Sequence, residues 1–219
     1  MTSARRVSPW WMLLPAALFV LNFIGGATQD TAQPRNAVYD IPTLVASGAI
    51  EAVLAGYAAL AARLSAQPVA ETLAVRRTPL GRAVWTSLAA IVVILVSEQV
   101  LDPIFKGSAK QGIEPTHGPQ STHQWIAVGI GVVTLVIVAP VAEELIFRGL
   151  GFAAFGRVAV PVTALLFALA HGLPALLVEV AVAGLALGEV RRRTGSVLPG
   201  MAVHMTFNAV ALAVAFAAL

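Results

Sequence analysis

The sequence has very little charge and no cysteine, and both shortages limit what the protein can be. Only 11% of its 219 residues are charged, whereas 58% are hydrophobic. A soluble domain carries about 25% charged residues. Because so few polar side chains cannot cover a surface in water, lipid must be the solvent for much of the chain.

The absence of cysteine excludes disulfide bonds, thiol catalysis and zinc held by thiolates. The net charge of +3 taken alone would suit a nucleic-acid partner. The basic residues, however, stand between apolar runs, which is the positive-inside pattern of membrane proteins. We therefore expect the lipid bilayer, and no nucleic acid, among the partners of this chain.

Seven apolar runs dominate the sequence. Inside a bilayer only helices and closed barrels satisfy their backbone groups, and the runs here are long and do not alternate strictly, which favours helices. We predict an all-α fold, a polytopic transmembrane helical bundle of about seven spans. The runs cover residues 10–27, 41–64, 83–101, 124–142, 158–171, 174–190 and 197–219.

The first run allows two interpretations. It is either a membrane span or a signal peptide that is cleaved near the small residues Gly25 and Ala27. Trp10 and Trp11 are typical of an anchor at the membrane interface. This aromatic pair favours the uncleaved span.

The connections between the runs alternate in basic content, which predicts seven spans with a cytoplasmic N-terminus. We expect an integral protein of a bacterial plasma membrane. The polar segment 102–123 predicts an external loop that separates an N-terminal three-span part, 1–123, from a four-span part, 124–219. The basic residues on the predicted cytoplasmic side are Arg5, Arg6, Arg63, Arg76, Arg77, Arg82, Arg148, Arg157, Arg191, Arg192 and Arg193.

A few polar side chains interrupt the last four runs. Ionisable residues inside a membrane are costly, so each one is a functional hypothesis by default. Two pairs are spaced four residues apart, which puts each pair on one face of its helix. The residues are Glu143, Glu144 and Arg148 after the fourth run, His171 in the fifth, Glu179 in the sixth, and His204 and Asn208 in the seventh.

These residue types permit two related chemistries. A carboxylate beside a second titratable group can act as a general base on water, while a His and an Asn stabilise a developing oxyanion. Alternatively, a Glu and two His side chains can hold a divalent metal that activates water. Either arrangement hydrolyses a carbonyl substrate. Because cysteine is absent and no Ser or Thr lies in a nucleophile motif, water is the better nucleophile.

Three motifs then resemble one known family. Glu143-Glu144-Leu-Ile-Phe-Arg148 matches EExxxR, Phe167-Ala-Leu-Ala-His171 matches FxxxH, and His204-Met-Thr-Phe-Asn208 matches HxxxN. These are the signatures of the CPBP family, the CAAX proteases and bacteriocin-processing enzymes that are also called the Abi family. The resemblance extends from residue 124 to residue 208, and implies that 124–219 is the catalytic core.

The resemblance implies an intramembrane endopeptidase that cleaves a peptide or protein substrate in the membrane. Glu143 and His171 would activate water, and His204 and Asn208 would stabilise the oxyanion. Glu144 and Arg148 would support the site. The family is often called a metalloprotease, so a divalent metal such as zinc is a further expectation, with Glu143, His171 and His204 as its candidate ligands. A metal-free glutamate mechanism is the alternative, and nothing in the motifs selects a prenylated substrate.

Other interpretations compete with this one. The Glu143 to Arg148 group could be a helix end in the interface, and His204 and Asn208 could only join helices by hydrogen bonds. For Glu179 a structural or supporting role is the better interpretation. As a whole, the protein could instead be a non-proteolytic scaffold or a bacteriocin-immunity-type protein that binds a partner.

The predicted span ends create one geometric difficulty. Glu143 would lie near the cytoplasmic end of the fourth span, and His171 at the far end of the fifth. The two meet only if the fifth helix is tilted, starts late or continues past Gly172. We expect a site that is open to the cytoplasmic half of the membrane.

Overall fold

The computed structural model describes residues 7–28, 37–105 and 117–217. Within these ranges the chain is helical and contains no strand, which confirms the all-α polytopic prediction. We number the long helices α1 to α7. They are α1 Leu13–Thr28, α2 Ile41–Arg63, α3 Leu80–Phe105, α4 at 122–155, α5 Ala159–Ala170, α6 Leu177–Thr194 and α7 Leu198–Ala217.

Five helical segments in the described part of the chain are long and apolar enough to cross a membrane, judged by length and composition. Four of them contain α1, α2, α3 and α7, and the fifth is the 49-residue segment Thr122–Ala170, which holds both α4 and α5. The remaining helix, α6, has 18 residues and carries two glutamates and three arginines. Each of the seven predicted runs thus corresponds to one helix.

Helix α4 continues well beyond the predicted end of the fourth run at residue 142. It consists of α-helical Thr122–Gly131, π-helical Val132–Val138, α-helical Ala139–Glu143, π-helical Glu144–Gly151 and α-helical Phe152–Phe155. The apolar run stops at Glu143 because charged residues follow, but the helix does not. Arg148, assigned above to a connection, therefore lies inside a helix and is fully buried.

A tight turn between α4 and α5 resolves the predicted difficulty over His171. Gly156 has φ +58°, a left-handed conformation that glycine adopts without strain, and it reverses the chain. Glu143 precedes this glycine by 13 residues and His171 follows it by 15. The two residues therefore reach a similar depth on neighbouring antiparallel helices, although α5 ends at Ala170 and does not continue past Gly172.

Close contacts between small residues bring the central helices together. A Cβ atom at Gly184 of α6 would lie 2.9 Å from the Cα atom of Ala164 on α5, so these two helices meet backbone to backbone. Helix α3 packs against the other side of α6, α1 packs along α5, and α2 packs against the middle of α4. The middle of α4 is contacted by α2, α5, α6 and α7.

Two arginine-containing connections meet at one end of the bundle. The Arg76 Nε atom donates a hydrogen bond to the carbonyl of Gly195 at 2.7 Å, and the backbone N–H of Val197 donates to the carbonyl of Ala74 at 3.1 Å. The α2–α3 and α6–α7 connections therefore share a side, as the charge pattern predicts. Arg5 and Arg6 lie outside the described residues, as do 29–36 and 106–116 of the predicted external connections. The cytoplasmic N-terminus and the division at 123 stay predictions.

The close contact at Gly184 allows a stability test. We expect Gly184→Ala to lower the free energy of unfolding by about 1–3 kcal/mol, because the added methyl overpacks the α5–α6 contact. Gly56→Ala is the matched control, since a Cβ atom there meets no atom within 4 Å. Denaturant unfolding in detergent micelles measures both, and equal stabilities would contradict the close approach.

Candidate active site

A buried ion pair occupies the centre of the bundle. The Arg148 Nη1 atom lies 2.9 Å from Glu144 Oε1, and neither side chain is exposed. The π-helical stretch carries both residues. Taking two charges out of water is expensive, so such a pair is stable only when further polar contacts complete it.

The surrounding helices supply one such hydrogen bond, an aromatic contact and space for the carboxylate. Arg148 Nη2 donates a hydrogen bond to the carbonyl of Gly184 on α6 at 3.1 Å, and its guanidinium carbon lies 4.4 Å from the centroid of the Phe167 ring on α5. On α7, a Cβ atom at Gly200 would lie 2.5 Å from Glu144 Oε2, so this glycine makes room for the carboxylate. The ion pair therefore contacts α5, α6 and α7 from α4.

His204 of α7 stands between the two neighbouring glutamates. Its Nε2 atom lies 3.4 Å from Glu143 Oε2, and its Nδ1 atom lies 3.8 Å from Glu144 Oε1. The Phe167 ring packs edge-on against the His204 ring, with centroids 5.6 Å apart. The imidazole thus faces a carboxylate on each of two sides and an aromatic ring on a third.

The tautomer of His171 follows from its hydrogen bond. The Nδ1 atom lies 2.9 Å from the carbonyl oxygen of Phe167. A carbonyl only accepts hydrogen bonds, so Nδ1 must carry the proton and donate it. In the neutral ring Nε2 then keeps a free lone pair, which is the state that can accept a proton from water.

Asn208 hydrogen-bonds a backbone carbonyl of α4 that has no partner within its own helix. Its Nδ2 atom donates to the carbonyl of Leu135 at 2.8 Å. That carbonyl has no π-helical partner, because the residue five positions on is Pro140, which has no N–H. One amide hydrogen of Asn208 therefore holds α7 to α4, while the second remains available.

The four predicted catalytic residues line one cavity of about 690 Å³. Glu143 and Asn208 approach it from α4 and α7, beside His204, and His171 approaches it from the end of α5. The six site residues predicted from the three motifs therefore lie together, with Glu144 and Arg148 buried directly behind Glu143 and His204. No observation tests the roles assigned to them, which stay predictions.

The cavity is nearer the end of the bundle away from the arginine-rich connections. Its wall includes the last residues of α1, such as Asn22, and the first residues of α2 and α6, such as Thr43 and Glu179. The cavity therefore does not lie in the arginine-rich half of the bundle, which the charge pattern predicts to be cytoplasmic, and an opening to the cytoplasmic half stays a prediction. That expectation placed Glu143 at the end of its helix, but α4 continues for 12 more residues.

Three further carboxylates line the same cavity. They are Glu51 of α2, Glu98 of α3 and Glu179 of α6. Sequence reasoning gave Glu179 a structural or supporting role and did not place Glu51 or Glu98 in the site. An acidic residue inside an apolar run was the signal that could have found them.

The metal expectation does not fit the observed arrangement. In the described ranges, no three His, Asp or Glu side chains are grouped so that they could hold a metal ion. The candidate ligands Glu143, His171 and His204 share the cavity wall without forming such a group. We therefore derive no step through a metal.

The fold and this cavity define a class of protein: a polytopic α-helical membrane protein with polar side chains around a cavity inside the bundle. Comparison with protein families narrows the class, because residues 125–210 match the family model described as "Type II CAAX prenyl endopeptidase Rce1-like". The resemblance indicated by the three motifs is confirmed over this range, and it supports a CAAX-type protease. It does not support the metalloprotease or Abi interpretations. Comparison with curated proteins and with solved structures found no significant match.

The buried ion pair generates a test of stability. We expect Arg148→Met to lower the free energy of unfolding by about 3–5 kcal/mol, because it leaves the Glu144 charge buried without a partner. Arg193→Ala is the control, since the Arg193–Glu189 pair is exposed and contributes at most about 1 kcal/mol.

A double variant separates lost charge pairing from lost volume. We expect Glu144→Gln combined with Arg148→Met to unfold at higher denaturant than Arg148→Met alone, because no uncompensated charge remains. If the double variant is the less stable of the two, the ion pair is not the main contribution of Arg148.

Proposed function

We propose that this protein is an intramembrane endopeptidase that hydrolyses peptide bonds in membrane-associated substrates with activated water. The observation that carries the proposal is the convergence of three motifs, separated by up to 61 residues, on one cavity wall. A polar cavity among apolar helices also provides what intramembrane hydrolysis needs, which is a place for water within the membrane.

In the first step Glu143 acts as the general base and His171 assists it. The carboxylate of Glu143 accepts a proton from water, and the free lone pair of His171 Nε2 orients that water by accepting its second hydrogen. The water oxygen bonds to the carbonyl carbon of the scissile peptide and forms a tetrahedral intermediate. Glu143 then returns the proton to the amide nitrogen as the C–N bond breaks.

His204 and Asn208 stabilise the negative oxygen of that intermediate. The second amide hydrogen of Asn208 is not used on Leu135 and remains a donor. His204 Nε2, which faces Glu143 at 3.4 Å in the free protein, is the second donor. Preorganised donors of this kind contribute because they do not reorient when the charge develops.

Glu144 and Arg148 support these groups without touching the substrate. Their ion pair fixes the turn of α4 that precedes Arg148, and the Glu144 carboxylate faces the Nδ1 side of His204. The position of both Glu143 and His204 therefore depends on this pair.

The matched family's name makes prenylated C-terminal peptides the first substrates to test. The cavity wall combines the polar residues with apolar side chains, including Leu176, Val180 and Phe207. Such a wall accepts a substrate that is partly polar and partly apolar.

The main experiment compares membrane-peptide termini in cells that carry the intact protein and cells that carry Glu143→Gln, at matched expression. We expect new peptide termini only with the intact protein, because the amide cannot accept the proton from water. Identical termini, with the variant correctly inserted, would instead favour the scaffold or immunity-type function.

A kinetic experiment with a prenylated peptide tests the oxyanion role. We expect Asn208→Ala to lower kcat by roughly 10²- to 10³-fold with a small change in KM, because a donor to the transition state is lost. Thr206→Val is the matched control on the same helix, since Thr206 is exposed and bonds only its own helix, at the carbonyl of Ala202. An equal loss of kcat in both variants would contradict a specific role for Asn208.

A further inference from the structure

The first helix contacts the turn that carries His171, although it lies outside the matched residues 125–210. Asn22 of α1 donates a hydrogen bond from Nδ2 to the carbonyl of Ala170 at 2.8 Å. Asn22 also lines the cavity. Ala170 directly precedes His171, so this bond acts on the backbone that holds the imidazole.

The carbonyl of Ala170 lacks a partner within its own helix. The residue four positions on is Pro174, which has no N–H, so the usual helical hydrogen bond cannot form. A backbone carbonyl without a partner is costly inside a membrane. Asn22 satisfies it, as Asn208 satisfies the carbonyl of Leu135 that Pro140 leaves free.

A second contact joins α1 to the same turn. A Cβ atom at Gly26 would overlap the carbonyl oxygen of Gly172, so the α1 backbone lies directly on the backbone of the turn. Gly172 itself has φ +71°, and a Cβ atom there would lie 2.6 Å from Asn22 Nδ2. Both glycines are therefore needed for the close approach.

An aromatic contact holds the middle of α1 near the same region. The rings of Phe19 and Phe147 have centroids 5.2 Å apart, and Phe147 in turn packs edge-on against Phe167 at 5.3 Å. Phe167 is the residue whose carbonyl accepts the hydrogen bond from His171. Helix α1 thus meets the His171 segment through its backbone and through its side chains.

We propose that Asn22, with Gly26, is a positioning residue for His171, and that α1 is therefore required for the function of the site. Asn22 holds the carbonyl of Ala170 and thereby orients His171 with Nε2 toward the cavity. This role requires that the first run stay in the folded enzyme. The inference rests on the proposed endopeptidase function, but its structural part is measurable without activity.

The test uses the full-length protein in detergent or liposomes and four variants. Asn22→Leu removes the donor but keeps the number and branching of side-chain heavy atoms, and Gly26→Ala separates the two backbones. Gly56→Ala is the control for Gly26, since a Cβ atom there meets nothing within 4 Å and Gly56 does not line the cavity. Thr28→Val is the control for Asn22, because Thr28 bonds only carbonyls of its own helix.

With a prenylated peptide as the probe, we expect Asn22→Leu and Gly26→Ala to lower kcat by roughly 10- to 100-fold with KM nearly unchanged. The two controls keep the intact rate. A change confined to KM would show that Asn22 binds substrate and would overturn the positioning role, as would an unchanged kcat in Asn22→Leu.

A spectroscopic measurement covers the case in which the intact protein is inactive. The chain has four histidines, and ¹⁵N NMR of the labelled protein reports which ring nitrogen of each is protonated. We expect His171 to be protonated at Nδ1 in the intact protein and in both controls, and to lose this single state in Asn22→Leu. An unchanged His171 signal overturns the proposal, whereas inactivity of the intact protein with the expected NMR change overturns only the endopeptidase function.

Intact mass tests the retained helix separately. We expect the purified active protein to contain residues 10–28. An active protein that begins after Ala27 would show that α1 is removed and would overturn the proposal.

Discussion

The buried Glu144–Arg148 ion pair is the interaction on which the rest of the site depends. Two charges without exposure are stable among apolar helices only if every neighbour accommodates them. The carbonyl of Gly184 accepts from the guanidinium, the Phe167 ring covers it, and Gly200 makes room for the carboxylate. Each of these contacts comes from a different helix, so the pair determines how α5, α6 and α7 pack on α4. Glu143 lies next to the pair in the chain, and its position follows from the same packing.

The second constraint is the pairing of backbone carbonyls where water is scarce. Two prolines, Pro140 and Pro174, each remove a helical N–H from one carbonyl. Asn208 satisfies the first carbonyl and Asn22 the second, each from another helix. Because one asparagine lines the cavity beside His204 and the other holds the turn at His171, these structural hydrogen bonds also arrange the site. The cost of an unpaired carbonyl in lipid thus explains why two asparagines stand on the cavity wall.

Apolar run length predicted the helices well and their ends poorly. The seven runs correspond to α1–α7, because burial in lipid requires about 20 apolar residues per span. The fourth run was predicted to end at residue 142, since Glu143, Glu144 and Arg148 are charged, yet the helix continues to Phe155. Hydropathy treats each charge as solvated, whereas here Glu144 and Arg148 pair with each other inside the bundle. The same error placed Glu143 at a helix end instead of within the bundle.

The sequence by itself determined the fold class and predicted a set of site residues. Composition requires lipid, and three short motifs are specific enough to identify six side chains and the family resemblance. Only the tertiary structure decided that these side chains share one cavity, that Glu51, Glu98 and Glu179 join them, and that α1 reaches His171. The reason is physical: motif spacing is a property of one helix, whereas the cavity and the α1 contact are made between helices far apart in the chain. The distances between these helices depend on small residues such as Gly26 and Gly184, which allow the backbones to approach closely.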